Sequence, residues 1–186
     1  MFWDTFGIKK VQYGCGRKFL HDWVNLDYIN REELEKNQGL REDDVYYKID
    51  LTMRQPFPDG HFEYAFSEDF LEHLNQSDSL IFLCECYRTL SKGGVLRLGF
   101  PGLENVLTSH FPETDFKSAC LLKEQAYARH QHLHFYSRKE LELVALHIGF
   151  SEVRFADYRI SEFKELRGLD TRENQKNMNT YVELIK

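Results

Sequence analysis

Short apolar segments alternate along the chain with longer segments in which apolar residues recur every three or four positions. The first pattern predicts buried β-strands and the second predicts amphipathic helices. Seven strands are predicted, in chain order at 11–13, 23–26, 45–49, 62–66, 95–100, 150–158 and 180–185. Strands that alternate with helices favour an α/β domain built on a mostly parallel sheet.

The predicted helices have recognisable ends. The clearest one starts at Ser77, its expected N-cap, and ends at the turn 91–94. Ser137 and Glu140 form a capping box that begins a second helix, and Gly149 suits its end. Further helices are predicted at 30–38 and 115–129, and the rest of 103–130 is expected to be irregular.

Composition narrows the class of protein. The chain has 186 residues, enough for one domain, and a formal net charge of −6, which disfavours a dedicated nucleic-acid binder. Residues Met1–Lys10 carry no apolar signal segment, and no apolar run approaches the length that a bilayer requires. The four cysteines show no C-x-x-C spacing, so we expect free thiols, a cytoplasmic location and no membrane partner.

Small or acidic residues follow each of the first four predicted strands. Gly14 and Gly16 follow the first strand, Asp27 the second, Asp50 the third, and residues 67–69 the fourth. The carboxyl ends of parallel strands meet at one edge of the sheet, where ligands bind. Glycines allow close approach and carboxylates accept hydrogen bonds from hydroxyls and amines, so this set suits an adenosine-containing ligand.

Longer motifs carry a family resemblance. They are YGCG at 13–16, PFPDGHFEY at 56–64, LEHL at 71–74, ECYRTLSKGG at 85–94 and HFYS at 134–137. Over roughly residues 9–158 the chain resembles class I S-adenosylmethionine-dependent methyltransferases. Within that class it is similar to a small type-11-like subgroup with the pattern GCG…GW.N.D, often associated with polysaccharide biosynthesis. The ending from Leu169 to Glu183 also resembles this subgroup.

The resemblance implies a Rossmann-like fold, a mostly parallel seven-stranded sheet flanked by helices. It implies S-adenosyl-L-methionine as cofactor and S-adenosyl-L-homocysteine as product. The turn Tyr13-Gly14-Cys15-Gly16 would pass under the methionine part, and Asp27 would hold the ribose hydroxyls. Asp50 would face the adenine amine with Leu51 against the ring, and Ser67 and Glu68 would lie beside the methionyl end.

The first crossover departs from the family pattern. Only Arg17–Asp22 separate Gly16 from the second predicted strand, whereas a parallel crossover usually needs a dozen residues or more. Either the first helix is reduced to a turn or the second strand is placed differently. Less helix N-terminus would then face the cofactor carboxylate, and Arg17 or Lys18 would be the substitute charge partner.

Three residues are candidates for a general base, which methyl transfer to a hydroxyl or protonated amine requires. They are His73, His134 and Asp69; the alternative for each histidine is a structural hydrogen bond. His130, His132 and His134 form H-x-H-x-H, but no acidic partner stands at a convincing spacing. We therefore expect no metal site, and we interpret Cys15 as a small structural residue of the cofactor turn.

Segment 103–136, which we call the lid, follows the fifth strand and contains several aromatic residues. We expect it to cover a small-molecule acceptor, a sugar, nucleotide-sugar or other metabolite, methylated on oxygen or nitrogen. A non-catalytic S-adenosylmethionine-binding module that supports a partner is the alternative. A nicotinamide oxidoreductase fits poorly because G-x-G-x-x-G is absent. A homodimer that closes the site is a further expectation, and Arg88, Lys92 and Arg97 are expected on the solvated surface.

Overall fold

A computed structural model describes residue 5 and residues 7–30, 32–33, 41 and 43–186 of the chain. Its sheet has seven strands, as predicted. They are β1 Lys10–Tyr13, β2 Val24–Asp27, β3 Val45–Lys48, β4 Phe62–Glu68, β5 Leu90–Pro101, β6 Glu152–Ala156 and β7 Asn179–Ile185. Each lies at or beside its predicted position, because short buried apolar runs are a strong strand signal.

The strand order is β3-β2-β1-β4-β5-β7-β6, and all neighbours are parallel except those of β7. This confirms the mostly parallel seven-stranded sheet. From β1 the chain moves outward to β2 and β3, and from β4 it moves the other way to β5. The reversal leaves a crevice beyond the carboxyl ends of β1 and β4, where an open α/β sheet binds its ligand.

Four α-helices accompany the sheet in the described part of the chain. They are α1 Gln76–Thr89, α2 Leu103–His110, α3 Phe116–Leu121 and α4 Arg138–Ile148, and a π-helical segment Leu122–Ala128 continues α3. The helix predicted at 115–129 is thus confirmed as α3 with the π-helical segment, whereas α2 was expected to be irregular. The helix predicted at 30–38 lies almost wholly outside the described residues. None of the described helices is long and apolar enough to cross a bilayer.

The helix ends correct one prediction and confirm another. Asn75, not Ser77, is the N-cap of α1, and its side chain accepts the Asp78 N–H at 2.9 Å. The predicted turn at 91–94 is the start of strand β5 instead. Ser137 caps α4 as predicted by accepting the Glu140 N–H, and Gly149 ends that helix with φ +122°.

The first crossover contains no helix. Strand β2 lies beside β1 in parallel, so the first predicted alternative holds and the helix is replaced by turns. Asn25, fully buried, holds this loop: its amide donates to the carbonyls of Leu20, Trp23 and Val45, and its Oδ1 accepts the Leu20 N–H. One side-chain amide therefore ties the crossover loop to the backbone of β3.

Arg97 was expected on the surface, but it is fully buried on β5. Its guanidinium donates to Asp170 Oδ2 at 2.6 Å and to Glu183 Oε1 at 3.0 Å. Of its other three donors, Nε–H goes to Asp170 Oδ1 at 3.2 Å, and the backbone carbonyls of Asp157 and Ile160 accept the other two. Residues distant in sequence supply all these partners, which explains why the local sequence suggested an exposed cation. Arg88 is also largely covered, whereas Lys92 is exposed as predicted.

Candidate functional site

A cavity of about 400 Å³ lies at the carboxyl ends of β1, β2 and β4. We call it the strand-end cavity. Six of its lining residues belong to the predicted site: Gly14, Cys15, Gly16, Asp27, Glu68 and Asp69. His73, a predicted base, lines it as well. The topology therefore brings together residues from three strand ends, and the volume suits a small ligand or cofactor.

The turn after β1 requires both of its glycines. Gly14 has φ +62°, and a Cβ there would lie 2.7 Å from the Phe70 ring. Gly16 has φ +55° and open space around it. Between them Cys15 is buried, and its burial raises the pKa of the thiol far above the usual range. A protonated, buried thiol agrees with the structural interpretation of Cys15 and not with a nucleophile.

Asp27 closes the end of β2. Its Oδ2 accepts the Gly16 N–H at 2.8 Å, and its Oδ1 accepts the Tyr28 N–H at 2.7 Å. These bonds orient the carboxylate at the cavity wall and leave further lone pairs free, because a carboxylate has about four acceptor positions. The geometry therefore agrees with a carboxylate that binds two adjacent hydroxyls.

The segment before β7 covers the acidic end of β4. Glu68 accepts hydrogen bonds from the Thr171 N–H at 2.8 Å and from the Thr171 hydroxyl at 2.6 Å. Asp69 accepts from Asn179 Nδ2 at 2.8 Å and pairs with Arg172 Nε at 2.9 Å. Burial raises the pKa of Asp69. Both predicted acidic residues are thus tied to the C-terminal segment.

Cations gather where the shortened crossover leaves no helix N-terminus. Arg17 and Lys18 line the strand-end cavity, as the departure from the family pattern led us to expect. Lys18 also donates to the Thr171 hydroxyl. Burial, and then the nearby Arg172 charge, lower the pKa of Lys18. Arg172 lines the same cavity; its only sequence signal was the C-terminal resemblance.

Five predicted site residues do not line this cavity. Tyr13 is wholly buried and its hydroxyl bonds to Thr89, while Leu51 and Ser67 are also buried. Asp50 is exposed, and its Oδ1 accepts from the Thr52 hydroxyl.

His134, the fifth of these residues, has its Nε2 3.0 Å from Glu140 Oε1. The structural alternative therefore fits His134 better than the role of a base, because its ring locks the loop to α4.

A second cavity, of about 140 Å³, lies under the lid. We call it the lid pocket. Its wall includes Val106 on α2, Ala126 on the π-helical segment, Phe135 and Met178, with His110 and Arg129 as polar groups. The missed helix α2 thus forms one side of the pocket. Two of the predicted lid aromatics behave differently: Phe116 is 85% exposed, whereas Tyr136 packs into the main core.

A third cavity, of about 180 Å³, joins the other two, and we call it the junction cavity. It shares Asp69, His73 and Arg172 with the strand-end cavity. It shares Pro101, His130, His132 and Gln175 with the lid pocket. The three cavities are therefore neighbours that share parts of their walls.

Glu72 lines the junction cavity and was not predicted as a site residue. Burial, and then the Asp69 charge, raise its pKa to about 8. Burial and the neighbouring histidines lower the pKa of His132 to about 4, and burial lowers the pKa of His73. Such shifts are typical of functional clefts. The signal in sequence was LEHL itself, which we had used only for the resemblance and for His73.

Comparisons with known proteins agree with this fold. Residues 11–98 match the model of a methyltransferase domain family. No curated protein matches the chain. A solved S-adenosylmethionine-dependent methyltransferase from Mesorhizobium loti has 16% identity and a TM-score of 0.66, covering 97% of this chain and 91% of that one.

Two further solved structures share the fold. A SAM-dependent methyltransferase from Archaeoglobus fulgidus is 14% identical with a TM-score of 0.61, covering 95% of this chain and 85% of that one. A protein from Thermotoga maritima, described as a possible histamine N-methyltransferase, is 17% identical with a TM-score of 0.62. That match covers 96% of this chain and 82% of the other.

Proposed function

Because residues 11–98 match a methyltransferase domain family, we propose that this chain is an S-adenosylmethionine-dependent methyltransferase that methylates a small-molecule acceptor on oxygen or nitrogen. The observation that carries the proposal is the lid pocket. It is small, most of its wall comes from the chain's own lid, and the junction cavity shares walls with both it and the strand-end cavity. A pocket of this kind suits a metabolite better than a macromolecule.

We place the cofactor in the strand-end cavity. The Gly14–Gly16 turn would lie under its methionine part, and Asp27 would accept from the ribose hydroxyls. Lys18 and Arg172, both on the cavity wall, would face its carboxylate in place of a helix N-terminus. Asp50 and Leu51 at the end of β3 remain the proposed partners of the adenine.

The acceptor class follows from the walls of the lid pocket. Phe135, Val106 and Met178 are apolar, whereas Arg129, His110 and four further polar side chains supply cationic or hydrogen-bonding groups. A sugar or nucleotide-sugar combines apolar ring faces with hydroxyls and phosphate, so it fits both kinds of wall. The subgroup resemblance favours the same acceptors. A nucleic acid fits less well, because the chain carries a net charge of −6.

Among the three predicted catalytic residues, we propose that His73 and Asp69 face the reacting groups. Both line the strand-end cavity and the junction cavity. His134 is paired with Glu140 and lines neither of them. We also propose a cytoplasmic location, which agrees with the four unpaired thiols.

The first test measures cofactor binding by calorimetry. Asp27→Ala should weaken S-adenosylhomocysteine binding by about 5- to 150-fold, the worth of hydrogen bonds to a charged group. Asp43→Ala, which removes an exposed carboxylate before β3, is the matched control and should bind as the wild type does. Equal affinity in Asp27→Ala would show that the ribose lies elsewhere.

The second test measures turnover with S-adenosylmethionine labelled in its methyl group. Wild-type protein is incubated with sugars, nucleotide-sugars and small amines, and in parallel with protein and RNA. Label transferred to a small acceptor supports the proposal. Label found only in a macromolecule, or intact cofactor binding with no transfer at all, would overturn it; the latter would favour the non-catalytic alternative.

A further inference from the structure

The Glu72 carboxylate is unsatisfied in the described structure. Its side chain is 1% exposed, and Oε2 has no hydrogen-bond partner among the described residues. Oε1 lies 4.0 Å from His73 Nε2 and 3.9 Å from His132 Nε2, and both distances are too long for hydrogen bonds. A buried carboxyl group is normally hydrogen-bonded, bound to a metal or protonated, because burying its charge without a partner is costly.

Two imidazoles surround this carboxylate. One ligand atom from each of Glu72, His73 and His132 can be chosen so that all three lie within 4.8 Å of one another. Around an ion with bonds of roughly 2.0–2.2 Å, ligand atoms are about 3.0–3.5 Å apart. Side-chain movements on the order of 1 Å would therefore bring the three atoms to coordination distance.

The backbone holds the two parts of the cluster together. Glu72 and His73 lie on a single helical turn, Leu71–His73, and His132 lies on the segment after the π-helical stretch. The Glu72 carbonyl accepts the Leu133 N–H at 2.8 Å, which fixes the two segments against each other. The backbone of Gln131 lies close enough to the His73 ring to favour its protonated form.

The nearby charges leave room for a cation. Arg172 is the cation on the wall of the junction cavity, and Asp69 neutralises it at 2.9 Å. His130 stacks on His132 with ring centroids 5.4 Å apart, and His132 Nε2 lies 3.9 Å from Glu72 Oε1. The cluster thus has one unpaired carboxylate and two nitrogen donors.

We propose that Glu72, His73 and His132 bind a divalent transition-metal ion such as zinc. A carboxylate with two imidazoles is a donor set for these ions, and three protein ligands leave coordination positions open. The open positions face the junction cavity, between the strand-end cavity and the lid pocket. There the ion would hold an oxygen atom of the acceptor, a role that rests on the proposed function, whereas the metal site itself does not.

The proposal changes two predictions made from the sequence. The acidic partner that H-x-H-x-H lacked is Glu72, which stands 60 residues before His132 and is therefore invisible to a spacing argument. His73 cannot bind an ion and accept a proton through the same nitrogen lone pair. The role of ligand thus replaces that of a base for His73.

The test is metal binding by the full chain without cofactor or acceptor. Chelator-stripped protein is titrated with Zn²⁺ in competition with a chromophoric chelator, and with Co²⁺ while visible absorption is recorded. We expect one equivalent of each ion to bind and the Co²⁺ complex to show absorption bands of nitrogen–oxygen coordination. Glu72→Gln and His132→Ala should each weaken zinc binding by at least about 10-fold, because each removes a ligand.

His134→Ala is the matched control, since this residue belongs to the same H-x-H-x-H motif but pairs with Glu140. It should bind zinc as the wild type does. Circular dichroism checks that every variant is folded. If His132→Ala does not fold, the nearly isosteric Glu72→Gln still tests the metal site. No stoichiometric binding to wild-type protein, or equal binding to folded Glu72→Gln, would overturn the metal site. Zinc bound without methylation of any small acceptor would overturn the proposed function alone.

Discussion

At the scale of single residues, the turn after β1 shows how a positive φ and a close contact combine. Gly14 must lack a Cβ for two reasons: its backbone is left-handed, and a Cβ there would lie 2.7 Å from the Phe70 ring. At Gly16 only the left-handed backbone favours glycine, because a Cβ there would meet no other atom within 4 Å. A side chain at Gly16 would therefore cause backbone strain alone, whereas one at Gly14 would cause backbone strain and a steric clash.

Replacing each glycine by alanine should give unequal losses of stability. Gly16→Ala should lower the free energy of unfolding by about 1–2 kcal/mol, the cost of a left-handed alanine. Gly14→Ala should lose roughly 1–3 kcal/mol more, because the Phe70 ring must move. Urea unfolding without ligand measures both values. Equal losses would mean that Phe70 moves away freely.

At the scale of elements, an ionic clip joins α1 to the loop before β4 and explains two of the resemblance motifs. Glu85 accepts the Gln55 N–H at 2.7 Å and two hydrogen bonds from Arg88. Arg88 in turn donates to the carbonyls of Gln55 and Phe57. Segments 56–64 and 85–94 are thus two halves of one structural contact rather than two parts of the strand-end cavity.

Glu85→Gln should lower the free energy of unfolding by about 1–3 kcal/mol at pH 7, because it removes charge-assisted hydrogen bonds. Burial alone would raise the pKa of Glu85, but hydrogen bonds from Arg88 and Gln55 outweigh it and lower that pKa below its ordinary 4.5. The contribution of Glu85 is therefore complete above pH 4.5 and is lost as the pH falls through the lowered pKa.

Urea unfolding of both proteins from pH 7 to about pH 3 tests this dependence. The difference between wild type and Glu85→Gln should shrink at the acid end. Glu142→Gln, which changes an exposed glutamate of α4, should match the wild type throughout. A difference that is constant with pH would show that packing, and not charge, makes the clip.

At the scale of the whole molecule, the C-terminal segment connects the inner strand β5 to the candidate site. Asp170 bonds to buried Arg97 on β5, and the next two residues, Thr171 and Arg172, bond to Glu68 and Asp69 at the strand-end cavity. The position of the cavity's cationic wall therefore depends on a buried ion pair on the sheet.

Arg97→Met should lower the free energy of unfolding by about 3–5 kcal/mol, because it leaves Asp170 and Glu183 buried without their cation. For a domain of this size the melting temperature should fall by roughly 6–20 °C. Arg154→Met, which breaks an exposed pair with Glu152 and Glu162, should cost at most about 1 kcal/mol. Scanning calorimetry of both variants measures these losses. Similar losses in the two variants would contradict a structural role for the buried network.

Predictions from sequence succeeded where a signal is local. The strands lie at the apolar runs of the sequence. The Ser137 cap of α4 was also predictable, because the N–H that it accepts belongs to Glu140, only three residues away. Gly14, Gly16, Asp27, Glu68 and Asp69 line one cavity because strand ends in a parallel sheet share an edge. Predictions failed for Arg97, whose partners are distant, and for α2, whose apolar positions pack against Phe135 and the π-helical segment.

The sequence by itself therefore determined the α/β class, the seven strands and the acidic and glycine residues at their ends, because periodicity and turn chemistry act over a few residues. Only the tertiary structure decided that Tyr13 and Ser67 are buried, that His134 belongs to a cap, and that Glu72 meets His132. The burial and the hydrogen-bond partners of a side chain depend on residues that are far apart in the sequence and come into contact only in the folded protein.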